Sequence, residues 1–141
     1  MTPPEHHEPP PIAEWLRKAD EDLGVAERLL SDERPFTNAI GFHCQQAAEK
    51  YLKALLTRWG IGFPKTHVLA HLLRLVETRD PALTAALLDV IVLTPYGVAL
   101  RYAGDYPDVS PAHAAEAVAL ARLVRDKVLP LLFDPPGRAD D

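Results

Sequence analysis

The fold turns on the segment Phe42-His43-Cys44-Gln45-Gln46-Ala47-Ala48-Glu49-Lys50-Tyr51-Leu52-Lys53-Ala54-Leu55-Leu56. Around it, Ile40, Cys44, Ala47, Ala48, Tyr51, Leu52, Leu55 and Trp59 recur at steps of three and four. That spacing predicts a helix from about Thr37 to Trp59 with one buried arc. Gly60-Ile61-Gly62 stops it, because glycine enters a left-handed turn without a Cβ penalty. Gln46, Glu49, Lys50 and Lys53 share a second face, flanked by Phe42, His43 and Thr57. Glu49 precedes Lys53 by four residues, a favourable helix pair. Two readings of this face stand side by side. One is a solvated surface with a salt bridge. The other is a cationic groove in which Lys50 and Lys53 meet phosphate as point charges.

Outward from this helix, the chain reads as helical in both directions. Ile12, Trp15, Leu16, Ala19, Leu23, Ala26 and Leu30 form a stripe that predicts a first helix from Ile12 to Leu30. Beyond Phe63-Pro64-Lys65, Thr66 is a candidate cap for a third helix from His67 to about Glu77. Pro81 suits the first turn of a fourth helix containing Leu83, Leu87, Leu88 and Ile91. Thr94-Pro95 either kinks that helix or starts another through Arg101. Ser110-Pro111 is a cap followed by proline at the first helical position, and a last helix runs to about Leu132. Val90-Ile91-Val92-Leu93 is β-branched, but it is short and follows a helical run without a turn signal. The expected fold is therefore all-α, an antiparallel bundle of about five helices. Residues 12–132 form the domain, 1–11 a disordered proline-rich tail and 133–141 a flexible C-terminal tail. On the last helix, Ala115, Ala119 and Leu123 make a second apolar side, which either fills the bundle centre or meets a partner subunit.

The 141 residues fit one compact domain, and 48% of them are hydrophobic, enough for a core at this length. A net charge of −5 argues against a surface given over to non-specific nucleic-acid binding, although a local basic patch would survive it. Cys44 is the single cysteine, so neither an internal disulfide nor a cysteine-rich zinc site is possible. One free thiol suits a reducing compartment, and the first eleven residues lack the basic start and apolar stretch of a signal peptide. The expected location is the cytoplasm, with no membrane span. The sequence carries no phosphate-binding glycine loop, dinucleotide fingerprint, zincin pair or nucleophile elbow. No cofactor is expected.

His67 and His71 stand four residues apart, as a metal pair would, but no acidic or cysteine ligand accompanies them in sequence. A metal site is not expected. Packing or hydrogen bonding at a helix start is the favoured role of His67, and a surface position that of His71. Leu100-Arg101-Tyr102-Ala103-Gly104-Asp105-Tyr106-Pro107-Asp108 is the other polar-aromatic cluster. Arg101 offers a planar fork for phosphate or carboxylate, and Tyr102 and Tyr106 offer stacking faces. Alternatively Arg101 pairs with Asp105 or Asp108 while the tyrosines close the loop over the core.

Three segments together resemble HEPN domains: residues 42–56, the lysine-threonine-histidine entry Pro64-Lys65-Thr66-His67-Val68-Leu69, and the arginine-tyrosine segment from Arg101-Tyr102 to Tyr106-Pro107-Asp108. They occur in the family's order, at matching positions in a helical pattern that covers about residues 12–132. The resemblance implies a dimerising bundle of about five helices that associates with nucleotides or RNA. It also implies a partner, since many relatives are encoded beside small nucleotidyltransferases and some such pairs act as toxin-antitoxin modules. Toxic members are metal-independent ribonucleases whose motif is an arginine, then four to six residues, then a histidine. Here the positions that should offer it after Arg101 hold Tyr106, Pro107 and Asp108, and no catalytic role is carried over. The expectation is a non-catalytic module, a homodimer, that binds a nucleotide or a nucleotidyltransferase through Gln46, Lys50, Lys53, His67, Arg101 and Tyr102. The alternative is a divergent ribonuclease in which the fold brings His43 or His67 to Arg101.

Overall fold

A computed structural model describes residues 10–97 and 107–133. Five α-helices and one 3₁₀ helix make up the bundle, and no strand occurs among the described residues. Helix α1 spans Ile12–Leu30, α2 Thr37–Arg58, α3 Leu69–Glu77, α4 Pro81–Ala86 and α5 Pro111–Leu132, with the 3₁₀ helix at Leu88–Gly97 between α4 and α5.

Helix α2 is the axis of the molecule. It packs against α1, α5, α3 and the 3₁₀ helix. Its apolar arc is wider than the sequence stripe, because Ala54 and Leu56 are also fully buried. A helix enclosed on several sides cannot be recognised by one stripe, since few of its positions are left to be polar. Its C-terminal end is a Schellman turn. The Ile61 N–H donates to the Leu56 carbonyl at 2.9 Å, and the Gly60 N–H donates to Thr57 at 3.1 Å. Gly60 has φ 71°, the left-handed conformation that this turn requires.

Helix α1 begins directly after Pro11, whose carbonyl accepts from the Glu14 and Trp15 N–H groups. Helix α5 is capped as its sequence indicates, with the Ser110 hydroxyl accepting from the His113 N–H at 3.0 Å. It does not fill the bundle centre. Ala115 and Ala119 stay exposed and Leu123 half-buried, while Ala114, Ala117, Val118, Ala121, Val124 and Val128 face α2.

Two boundaries differ from expectation. The third helix starts at Leu69, two residues late. Thr66 spends its hydroxyl on the Val68 N–H, two residues on at 3.1 Å, so it closes a local turn instead of capping a helix. The first helical N–H, from Leu69, is satisfied from across the fold by the Thr94 hydroxyl at 3.2 Å. The fourth helix neither kinks nor restarts at Pro95; it changes winding near Leu87. The Leu87 N–H is shared between Leu83 and Thr84, and the Val90 N–H reaches back three residues to Leu87. Three-residue winding puts Leu87, Val90 and Leu93 on one line, and all three are buried. Tyr96 continues that line onto α2, where a Cβ added at Gly41 would lie 3.1 Å from its ring.

Candidate functional site

Two buried carboxylates organise the polar side chains of α2. The first, Glu49, stands where α2 meets the extended stretch before α3, and its side chain is only 4% exposed. Lys53 Nζ donates to Oε2 at 2.9 Å, and its own side chain is 8% exposed. On Oε1, His67 Nδ1 lies at 2.8 Å and Gln45 Nε2 at 3.1 Å. Gln45 Nε2 also reaches the His67 carbonyl at 3.0 Å, and Gln46 Nε2 donates to Gln45 Oε1 at 2.7 Å. The i,i+4 pair Glu49–Lys53 forms as its spacing predicts, but inside the molecule and not on a solvated face.

Burial pushes the Glu49 carboxyl up, yet the hydrogen bonds from Lys53, His67 and Gln45 outweigh it and hold the group below its ordinary value. It is therefore an anion at neutral pH, fixed from both oxygens. The imidazole of His67 is 75% exposed, so the carboxylate orients a ring whose bulk stands in solvent. The backbone explains why residues 63–68 do not join α3: the carbonyl and ring of His67 are both committed to α2.

The second carboxylate, Asp22, lies between α1 and α2. Lys50 Nζ sits 2.5 Å from Oδ2 and His43 Nδ1 2.8 Å from Oδ1. The ring of Phe42 meets that of His43 edge-on at 5.3 Å. Lys50 and Lys53 are thus separated into different clusters, each against its own acid. Gln46 and His67 join Lys53 around Glu49. Arg101 and Tyr102 lie outside the described residues. Gly97, the last described residue before 98–106, touches the Glu49 cluster, since a Cβ built there would be 2.4 Å from Gln45 Oε1. Asp108, a candidate partner for Arg101, accepts from Asn38 Nδ2 at 2.9 Å, while Asn38 Oδ1 accepts from the Val109 N–H at 2.8 Å.

The sequence reading missed Asp22 and Gln45. Both carried a signal. Asp22 falls on the α1 stripe between Ala19 and Ala26, and Gln45 sits beside Cys44 on the buried arc. A polar residue at a core position requires a buried partner.

Lys53 also forms the back of a cleft of about 630 Å³ between the start of α1 and the loop after α2. Its ammonium is 5.6 Å from the centroid of the Trp15 ring and 5.7 Å from that of Phe63. These two rings meet edge-on at 6.2 Å. The Trp15 indole N–H is buried and has no acceptor among the described residues. On the opposite flank, Asp20 accepts from the buried Tyr51 hydroxyl at 2.5 Å, and burial raises that phenol above its ordinary pKa. Arg125 stands 3.5 Å from Asp20, and Arg122 bonds Glu27 at 2.6 Å. At the core, burial pushes the Cys44 thiol up to about 12.

Among the described residues no cluster of three or more histidine, cysteine, aspartate or glutamate side chains could hold a metal ion. None of the described helices is long and apolar enough to cross a membrane. What remains is an all-helical bundle with histidines and lysines anchored by carboxylates around its central helix. The chain matches the family model described as HEPN domain over residues 12–131, and it belongs to that family. Among curated proteins and solved structures, nothing matches it.

Proposed function

We propose that this HEPN domain is a non-catalytic module that binds a nucleotide or RNA and pairs with a small nucleotidyltransferase, in a toxin-antitoxin-like arrangement. The observation that carries the reading is the use of its histidines. His43 is engaged by Asp22 and His67 by Glu49, so each imidazole has one ring nitrogen committed to a structural carboxylate. Tyr106, Pro107 and Asp108, at the positions where the ribonuclease motif would place a histidine after Arg101, point the same way. The exposed Ala115 and Ala119 of α5 support a two-fold dimer, the commonest closed assembly. Light scattering at micromolar concentration should then report twice the chain mass. Calorimetric titration of the chain with nucleoside triphosphates, and with the nucleotidyltransferase encoded beside it, should give saturable binding. Silence with every one of them overturns the reading.

A second reading, a divergent metal-independent ribonuclease, is favoured by one feature. Glu49 holds Nδ1 of a largely exposed imidazole, which is the arrangement that fixes a tautomer and leaves Nε2 to exchange a proton. Arg101 would stabilise the negative charge on the oxygens of the phosphorane-like transition state. This reading predicts RNA cleavage in the presence of a chelator, abolished by His67→Ala and by Arg101→Ala. Intact RNA after prolonged incubation with the wild-type chain removes it.

A further inference from the structure

The cleft between the start of α1 and the loop after α2 has a composition unlike the rest of the molecule. Among the described residues, the side chains lining it include two lysines, Lys53 and Lys65, and no acid. The whole chain carries −5. The other walls are mainly apolar, with Trp15, Phe63 and Ile61 prominent. At about 630 Å³ the cleft falls within the roughly 300–1,000 Å³ usual for small-ligand sites. Such a space suits a flat, weakly polar body with an anionic group at one edge.

We propose that this cleft holds one nucleotide unit, its base against the aromatic wall and its phosphate on Lys65. The proposal rests on the nucleotide-binding reading above and gives it a site made of described residues. Lys53 lies too deep and is too firmly held by Glu49 to follow a ligand. Its ammonium instead sets the two rings, being within 5.7 Å of both centroids. Lys65 is exposed at the rim and has no acidic partner among the described residues. Stacking of this kind tolerates every base, so little base preference is expected. Gly62 also lines the cleft, and a Cβ there meets nothing within 4 Å, so the space in front of it is open to a ligand.

The test uses the full chain. Trp15 and Trp59 are its two tryptophans, so Trp59→Phe leaves Trp15 as the reporter. AMP should change Trp15 fluorescence saturably. Gly62→Phe fills the cleft and Lys65→Glu reverses its rim charge, and each should weaken AMP by about tenfold or more. Circular dichroism and the melting midpoint verify that Gly62→Phe is folded, and the surface change Lys65→Glu keeps the test decisive if it is not. If the wild type binds AMP and the folded variants bind it within about twofold, the cleft assignment falls while the nucleotide-binding reading stands. If the wild type binds neither AMP nor a short RNA, both fall. Adenosine binding as tightly as AMP would overturn the role of Lys65, and inorganic phosphate doing so would overturn that of the rings. A free nucleotide and a strand end share this chemistry. Competition between a short oligonucleotide and AMP identifies the strand end, and lack of competition the free nucleotide.

Discussion

The two flanks of α2 use the same side-chain types to opposite effect. Around Glu49 the acid, the lysine and the glutamine are all buried. Between α1 and α5, Asp20, Glu27, Arg122 and Arg125 form their pairs largely in water. An ion pair in water is worth little because solvent screens it and ordering long side chains costs entropy. Inside the bundle each partner has already lost its hydration, so the loss of one leaves the other stranded. Distance does not distinguish the flanks, since Arg122–Glu27 at 2.6 Å is shorter than Lys53–Glu49 at 2.9 Å. Burial does.

The largest expected effect is therefore at the buried cluster. Glu49→Gln leaves the Lys53 ammonium without its counter-charge and should lower unfolding free energy by about 3–5 kcal/mol in urea titrations. Adding Lys53→Met should recover much of that, because the uncompensated charge is then gone. If the double variant is no better than the single, Glu49 acts through His67 and Gln45 instead. The same carboxylate gives acid sensitivity. Its folded pKa lies below the ordinary glutamate value, so its stabilisation is complete above that value and fades as the pH falls through the lowered one. The wild type should lose stability on that acid limb, and Glu49→Gln should lose less.

Intermediate effects belong where the two environments meet. Tyr51→Phe removes a hydroxyl from a fully buried ring that bonds the exposed Asp20 and should cost about 1 kcal/mol. Least of all, Arg122→Ala should cost about 0.2–1 kcal/mol and the difference should shrink in high salt. A large salt-independent loss there would mean that the α1–α5 flank is more enclosed than its exposure indicates.

Much of this architecture is legible in the sequence. The bounds of α1, the glycine stop after α2 and the serine-proline start of α5 each follow from local chemistry that the tertiary fold does not override. The site is legible only in pieces. Glu49 and Lys53 announce their pairing by spacing, but spacing is the same on a wet surface and in a core. Which it is depends on α1, α3 and α5 closing over α2, information spread across the whole chain. The late start of α3 has a similar origin, because Gln45, from twenty-two residues upstream, claims the His67 carbonyl. The 3₁₀ winding left a trace in the three-residue spacing of Leu87, Val90 and Leu93, which a helical period of 3.6 hides.

The lone thiol gives the molecule a clock. Cys44 is fully buried at the heart of α2, and its high pKa keeps it protonated and chemically quiet in the closed bundle. An alkylating reagent can reach it only when helices part. Labelling followed by mass spectrometry should therefore proceed at the intrinsic thiolate rate multiplied by the fraction of time spent open. A ligand that closes the bundle more firmly would slow that clock in proportion to its occupancy, without any dye or engineered probe.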